Sequence, residues 1–137
     1  MRLPAILGLL LLSGILTSCG LTEVSGGNEI PIMADERADG TMFFEPKVVT
    51  VRTGEKVTFV VTNQGKNDHE FESIEEGEAG IEEVLIPAGK TRRVAWTAPS
   101  KPGTYPVYCD LPYHRELGME FTLVVVEPTA SSTPSGP

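Results

Sequence analysis

The sequence predicts an all-β protein, a β-sandwich of about seven or eight strands. Its apolar residues come in short runs of β-branched and aromatic side chains, which suit a pleated sheet and are too short for most helices. Turn-forming residues separate the runs at regular intervals. The runs occupy residues 48–51, 57–61, 94–96, 104–108 and 121–126, and the turns 52–55, 63–67, 87–90 and 99–103.

The N-terminal residues predict an export signal. Arg2 precedes an apolar stretch over residues 6–16, which is shorter than a membrane-spanning helix requires. The residues around Cys19 resemble a bacterial lipoprotein processing site, which implies cleavage before Cys19 and lipidation of its side chain. The alternative is an ordinary secretory signal cleaved nearby, which would leave Cys19 as a free thiol or a disulfide partner.

Composition divides the chain into four parts. We predict a signal peptide over 1–18, a lipidated flexible tether over 19–28, one compact domain over 29–127 and a disordered tail over 128–137. Removal of residues 1–18 deletes one charged residue, Arg2, and leaves ten basic and nineteen acidic residues, a formal charge of −9. Such an acidic chain is not expected to bind nucleic acid.

An irregular acidic segment covers residues 70–83, where we expect a short helix or a loop. No Lys or Arg lies between Lys66 and Lys90. The segment either steers a basic redox partner by long-range attraction or is a solvated loop that serves solubility. Its acidic residues are Glu70, Glu72, Glu75, Glu76, Glu78, Glu82 and Glu83.

The predicted metal ligands are His69, Cys109, His114 and Met119. A thiolate, two imidazoles and a thioether suit copper, because sulfur favours Cu(I) and imidazole also accommodates Cu(II). The chain has two histidines and two cysteines, too few for an additional zinc site or for a binuclear copper site with a second thiolate. A buried Cys or Met is by itself usually a packing residue, but the joint spacing with the histidines favours metal binding.

Loops at one end of a sandwich can bring these residues together. His69 follows a turn, Cys109 follows the predicted strand 104–108, and Met119 precedes the last strand. Four residues separate Cys109 from His114, and four separate His114 from Met119. Gly118 permits a tight approach of the backbone within this loop.

The chain resembles the cupredoxins, the small blue copper proteins, and among them the auracyanin and rusticyanin-like members with a C-x4-H-x4-M loop. The resemblance covers most of residues 29–127 and implies a Greek-key sandwich with one type 1 copper ion bound by His69, Cys109, His114 and Met119. Besides the ligand loop, the matching pieces are 44–46, 54–59, 62–63, 69–71 and 102–105.

Three residues depart from the family pattern. Glu70 stands where many relatives have Asn, which ties the two ligand loops together. Tyr113 replaces a frequent Gly and is expected to cover part of the exposed ligand edge. Asp110 adds a negative charge beside Cys109.

These features predict a membrane-anchored one-electron carrier, not an enzyme, because the ligands leave no obvious open position and no histidines remain for a catalytic copper. Its partners would be redox proteins such as a cytochrome or a membrane oxidoreductase, and the carrier itself a monomer. The lipid would hold it on a bacterial membrane, facing the periplasm or the cell exterior. The alternative function is copper delivery, storage or sensing; the lack of a Met-rich or His-rich tract favours the carrier.

Overall fold

The computed structural model describes residues 28–75 and 77–128. The predicted signal peptide, Cys19 and nearly all of the predicted tail therefore lie outside the described residues. Nine strands form in the described part: β1 (Asn28–Glu36), β2 (Met42–Glu45), β3 (Val48–Arg52), β4 (Lys56–Asn63), β5 (His69–Ser73), β6 (Ile81–Ile86), β7 (Thr91–Thr97), β8 (Gly103–Tyr108) and β9 (Glu120–Val126).

The strands form two sheets, so the predicted all-β sandwich is confirmed. One sheet has the order β2-β1-β4-β7 and the other β3-β9-β8-β5-β6. The pairs β1/β4 and β3/β9 are parallel, whereas β8 pairs antiparallel with both β5 and β9. This arrangement matches the Greek-key sandwich that the resemblance implies.

The acidic segment 70–83 is not helical in its described residues. It contains all of β5 except His69, a connection over residues 74–80 and the first half of β6. Glu70 and Glu72 alternate with His69, Phe71 and Ser73, so charged side chains hide the strand period of two, although Glu72 is itself buried. Of the two predicted alternatives, a short helix or a loop, the described residues show the loop, and it occupies the middle of the segment.

The core lies between the sheets and is centred on aromatic rings. Phe44, Phe59, Phe71 and Phe121 are almost fully buried. The ring centroid of Phe71 lies 5.6 Å from that of Phe44, 5.4 Å from that of Phe59 and 5.8 Å from that of Phe121. Phe71 lies two residues after His69 on β5, so this packing fixes the strand that carries the first predicted ligand.

In the described ranges, no helix has the length and apolar character that a membrane crossing requires.

Candidate metal centre

Three strand ends bring the predicted ligands together. His69 begins β5, Cys109 follows β8 and Met119 precedes β9. Because β8 is antiparallel to both neighbours, the starts of β5 and β9 lie beside its end, and His114 belongs to the loop that joins β8 to β9. The topology therefore places all four residues at one end of the five-stranded sheet.

Two imidazoles and the thiol converge on one point. His69 Nδ1 lies 3.2 Å from His114 Nδ1, and Cys109 Sγ lies 3.4 Å from His114 Nδ1. One donor atom from each of the three residues can be chosen so that all lie within 4.8 Å of one another. Neutral imidazole nitrogens and a thiolate present lone pairs, and lone pairs that face each other so closely suit a shared cation.

Burial disfavours the charged forms of His69 and Cys109 when no metal is bound. Both His69 and Cys109 are completely buried. Burial, with the charge of His114, lowers the pKa of His69, so its imidazole stays neutral, as a metal ligand must. Burial also raises the pKa of the Cys109 thiol, although hydrogen bonds from the backbone of Glu70 and Leu111 oppose this rise.

Backbone hydrogen bonds fix the thiol and connect the ligand segments. The Glu70 backbone N–H donates to Cys109 Sγ over 3.2 Å, so a tie between the two ligand segments is present although Glu70 is not Asn. The Cys109 N–H donates to Met119 O, and the Met119 N–H donates to His114 O, both over 3.1 Å. The Met119 side chain is completely buried, and its backbone is thus linked to two of the other predicted ligands.

Tyr113, the residue before His114, is exposed and has an unusual backbone conformation, and its cover of the ligand edge stays a prediction. Its side chain is 76% exposed, and its φ of 69° is the only positive value among non-glycine residues in the described part of the chain. Gly, which is frequent at this position in related proteins, would adopt the same conformation without steric cost.

Glu36 is a neighbour of the centre that sequence reasoning missed. Its Oε2 lies 3.7 Å from His69 Nε2, a fully buried atom that has no hydrogen-bond partner in the described residues. The Lys66 N–H and the Asn67 side chain donate to the Glu36 carboxylate over 2.6 and 2.9 Å. These bonds lower the pKa of Glu36 against the opposing effect of partial burial, so a fixed anion faces the far side of the His69 ring.

The donor set fits one copper ion. Soft sulfur and two imidazoles, held in place by β5, β8 and β9, accept both Cu(I) and Cu(II). Bound copper would supply a reversible one-electron couple. The surrounding backbone hydrogen bonds and buried side chains would keep the ligands in place in both oxidation states.

Comparisons with known proteins agree with this geometry. The family model described as Cupredoxin-like domain matches residues 8–125. The copper-resistant cuproprotein CopI of Rubrivivax gelatinosus is 31% identical over 103 residues, and the match covers 62% of this chain and 61% of CopI. The chain thus spans about three fifths of the length of this relative.

Two solved structures show the same fold. Dithionite-reduced auracyanin of Roseiflexus castenholzii has a TM-score of 0.58 and 21% identity, covering 72% of this chain and 97% of auracyanin. The copper-containing nitrite reductase of Thermus scotoductus has a TM-score of 0.60 and 14% identity, covering 73% of this chain and 31% of the reductase. The fold therefore occurs both in a small separate protein and as part of a larger enzyme.

Proposed function

Because the chain belongs to the cupredoxin-like domain family, we propose that it is a type 1 copper protein that carries single electrons between redox partners. The convergence of His69, Cys109 and His114 on one point carries this proposal. With Met119 as a weak fourth ligand, the set would tolerate both oxidation states of copper. Outer-sphere transfer then requires no substrate bond to break.

The surroundings of the ligands support a carrier that changes little between oxidation states. His69 and Cys109 are buried at strand ends, and the Glu70 N–H already faces the sulfur. Ligands held in advance need little rearrangement per electron. His114 is only partly buried, so we assign the route of the electron to its side of the centre, where the exposed side chains of Tyr113 and Leu117 lie in the same loop.

We also propose a place and partners for the carrier. Processing before Cys19 would leave a lipid-anchored protein on a bacterial membrane, facing the periplasm or the cell exterior. Its partners would be a cytochrome or a membrane oxidoreductase, met by a monomeric carrier. Labelling with radioactive palmitate in a bacterial host tests the anchor: the wild type should incorporate label and the Cys19→Ala variant should not.

A second candidate function is copper handling in copper resistance. The likeness to CopI, a copper-resistant cuproprotein, favours it. A protein for delivery or storage should release Cu(I) to an acceptor, whereas a carrier should keep its copper through many redox cycles.

One experiment separates the two candidates. The copper-loaded chain is oxidised and reduced repeatedly in the presence of a Cu(I) chelator while the thiolate-to-copper absorption band is recorded. Full recovery of the band in each cycle supports the electron carrier, and loss of copper on reduction supports copper handling. The Cys109→Ser variant serves as the control, because it should bind copper without this band; an unchanged band would remove Cys109 from the centre.

A further inference from the structure

Glu72 is a mostly buried residue whose carboxylate oxygens still reach solvent and make no hydrogen bond within the described ranges. It lies on β5 and is 3% exposed. Within the described ranges, no hydrogen-bond donor pairs with its carboxylate, and the ion pairs there join other residues. A buried charge without a partner is costly, so buried carboxylates are normally paired, coordinated to a metal or protonated.

The neighbours of this carboxylate carry the same charge. One carboxylate oxygen from each of Glu70, Glu72 and Glu83 lies within 4.8 Å of the others. Burial, and then the charges of Asp110 and three glutamates that include Glu70 and Glu83, raise the pKa of Glu72 to about 6. At neutral pH the Glu72 carboxylate is therefore mostly ionised, and the neighbouring carboxylates repel it.

The arginine on this side of the sheet does not neutralise the group. The Arg115 guanidinium lies 3.9 Å above the ring of Tyr108, the residue opposite Glu72 on β8. Its Nε donates to Glu120 over 2.8 Å. The contacts of the Arg115 side chain are thus with Tyr108 and Glu120 and not with the three glutamates.

We propose that Glu70, Glu72 and Glu83 bind a hard divalent cation of the Ca²⁺ class, at a site separate from the copper centre. The donors are carboxylate oxygens alone, which suit Ca²⁺ and not a soft ion. Two strands, β5 and β6, hold the three side chains, and Glu72 is the most buried of the three. Water completes the coordination shell.

The site lies close enough to the copper centre to affect it. The Glu70 N–H donates to Cys109 Sγ, and Glu72 lies opposite Tyr108, the residue before Cys109. A cation bound by these glutamates would add positive charge beside the copper centre and thus disfavour Cu(II), which raises the reduction potential. This consequence rests on the proposed electron-transfer function, whereas cation binding itself does not.

Calorimetric titration of the copper-free full chain with Ca²⁺ at neutral pH tests the site. The wild type should bind one equivalent, with an affinity in the range of about 0.1 to 1 mM that exposed extracellular sites show. The Glu72→Gln variant should lose affinity at least about tenfold. Glu82→Gln is the matched control, because Glu82 is an exposed residue of β6 outside the group; its affinity should stay within about twofold of the wild type.

Thermal unfolding separates loss of the site from loss of the fold. The Glu72→Gln variant should be at least as stable as the wild type without Ca²⁺, because a buried charge has been removed, yet it should no longer gain stability when Ca²⁺ is added. Absence of binding to the wild type overturns the proposal. Equal losses in Glu72→Gln and Glu82→Gln also overturn it, because they would indicate diffuse attraction by an acidic surface. If the wild type binds no Ca²⁺ but its copper is still oxidised and reduced reversibly, the cation site is overturned and the proposed electron-transfer function is retained.

Discussion

Each imidazole of the candidate centre has two nitrogen atoms, and their surroundings differ sharply in His69. Nδ1 faces the other ligands, 3.2 Å from His114 Nδ1. Nε2 is buried and faces the Glu36 carboxylate at 3.7 Å. A carboxylate at this position selects the tautomer with the proton on Nε2, leaves the Nδ1 lone pair for the metal and makes the imidazole a stronger donor.

Glu36→Gln should therefore raise the reduction potential of the copper-loaded protein. The substitution removes an anion that stabilises Cu(II) through His69, but it retains an oxygen acceptor of similar size. Voltammetry measures the change. Asp35→Asn is a control of equal charge, since Asp35 also acts on His69 through its charge but is not paired with the ring. An equal rise in both variants would show that Glu36 acts only as a distant charge.

Spacing predicts contacts within one loop better than contacts between distant strands. The loop spacing of Cys109, His114 and Met119 was visible in the sequence, and the structure brings Cys109 and His114 together with His69. The role of Met119 as a ligand stays a prediction. Glu36 carried no signal, because its approach to His69 depends on how β1 and the turn after β4 pack, which local patterns do not encode.

At the scale of elements, the loop between β8 and β9 is a compact unit. Its residues bond to one another, with N–H donors at His114, Leu117 and Gly118. It is also tied to the other sheet, because the Met42 N–H of β2 donates to Leu117 O over 3.0 Å. The ligand loop is thus braced by the sandwich on which it lies.

Gly118→Ala should disturb this loop. Gly118 has a φ of 102°, and an added Cβ would lie 3.0 Å from Met42 O, a backbone atom of β2. Both the conformation and the contact resist a side chain, so we expect a destabilisation of about 1 to 3 kcal/mol. Denaturant unfolding of the copper-free protein measures it.

Gly40→Ala separates the two causes. Gly40 has a similar φ of 88°, but an added Cβ would meet nothing within 4 Å, so only the conformational cost applies. Gly118→Ala should cost more and should also change the thiolate-to-copper band, whereas Gly40→Ala should leave the band unaltered. Equal costs with unchanged bands would mean that β2 does not constrain the ligand loop.

The elements that the sequence predicted are those with apolar alternation. The runs at 48–51, 57–61, 94–96, 104–108 and 121–126 all lie in strands of the structure. The count of seven or eight strands was too low because β1, with the sequence NEIPIMADE, and β5, with HEFES, mix charged residues with apolar ones. Tertiary pairing with the central strands β4 and β8 stabilises them where local propensity is weak.

Over the whole molecule, acidic residues outnumber basic ones by nineteen to eleven, and the structure distributes this charge unevenly. The hydrogen-bonded carboxylates of Glu29, Asp39 and Glu55 have a lowered pKa. They therefore contribute stability that is present at neutral pH and is lost as the pH falls. The pKa of Glu72 is raised instead, so its ionisation lowers the stability of the protein as the pH rises.

Glu72 should make the cation-free protein less stable as the pH rises from about 4.5 to about 6. Burial and neighbouring carboxylates raise its pKa from 4.5 to about 6. Over this window the folded state keeps a proton that the unfolded state has released, so the free energy of unfolding falls with rising pH, by at most about 2 kcal/mol. Denaturant unfolding of the copper-free protein, with a chelator present, measures this change.

Glu72→Gln isolates this effect from the other carboxylates. Because their contributions are common to both proteins, the difference in unfolding free energy between wild type and variant should fall across the window and level off above it. A difference that is independent of pH would mean that Glu72 is solvated and titrates normally. Addition of Ca²⁺ at neutral pH should restore the stability of the wild type alone, because a cation and a proton relieve the same repulsion.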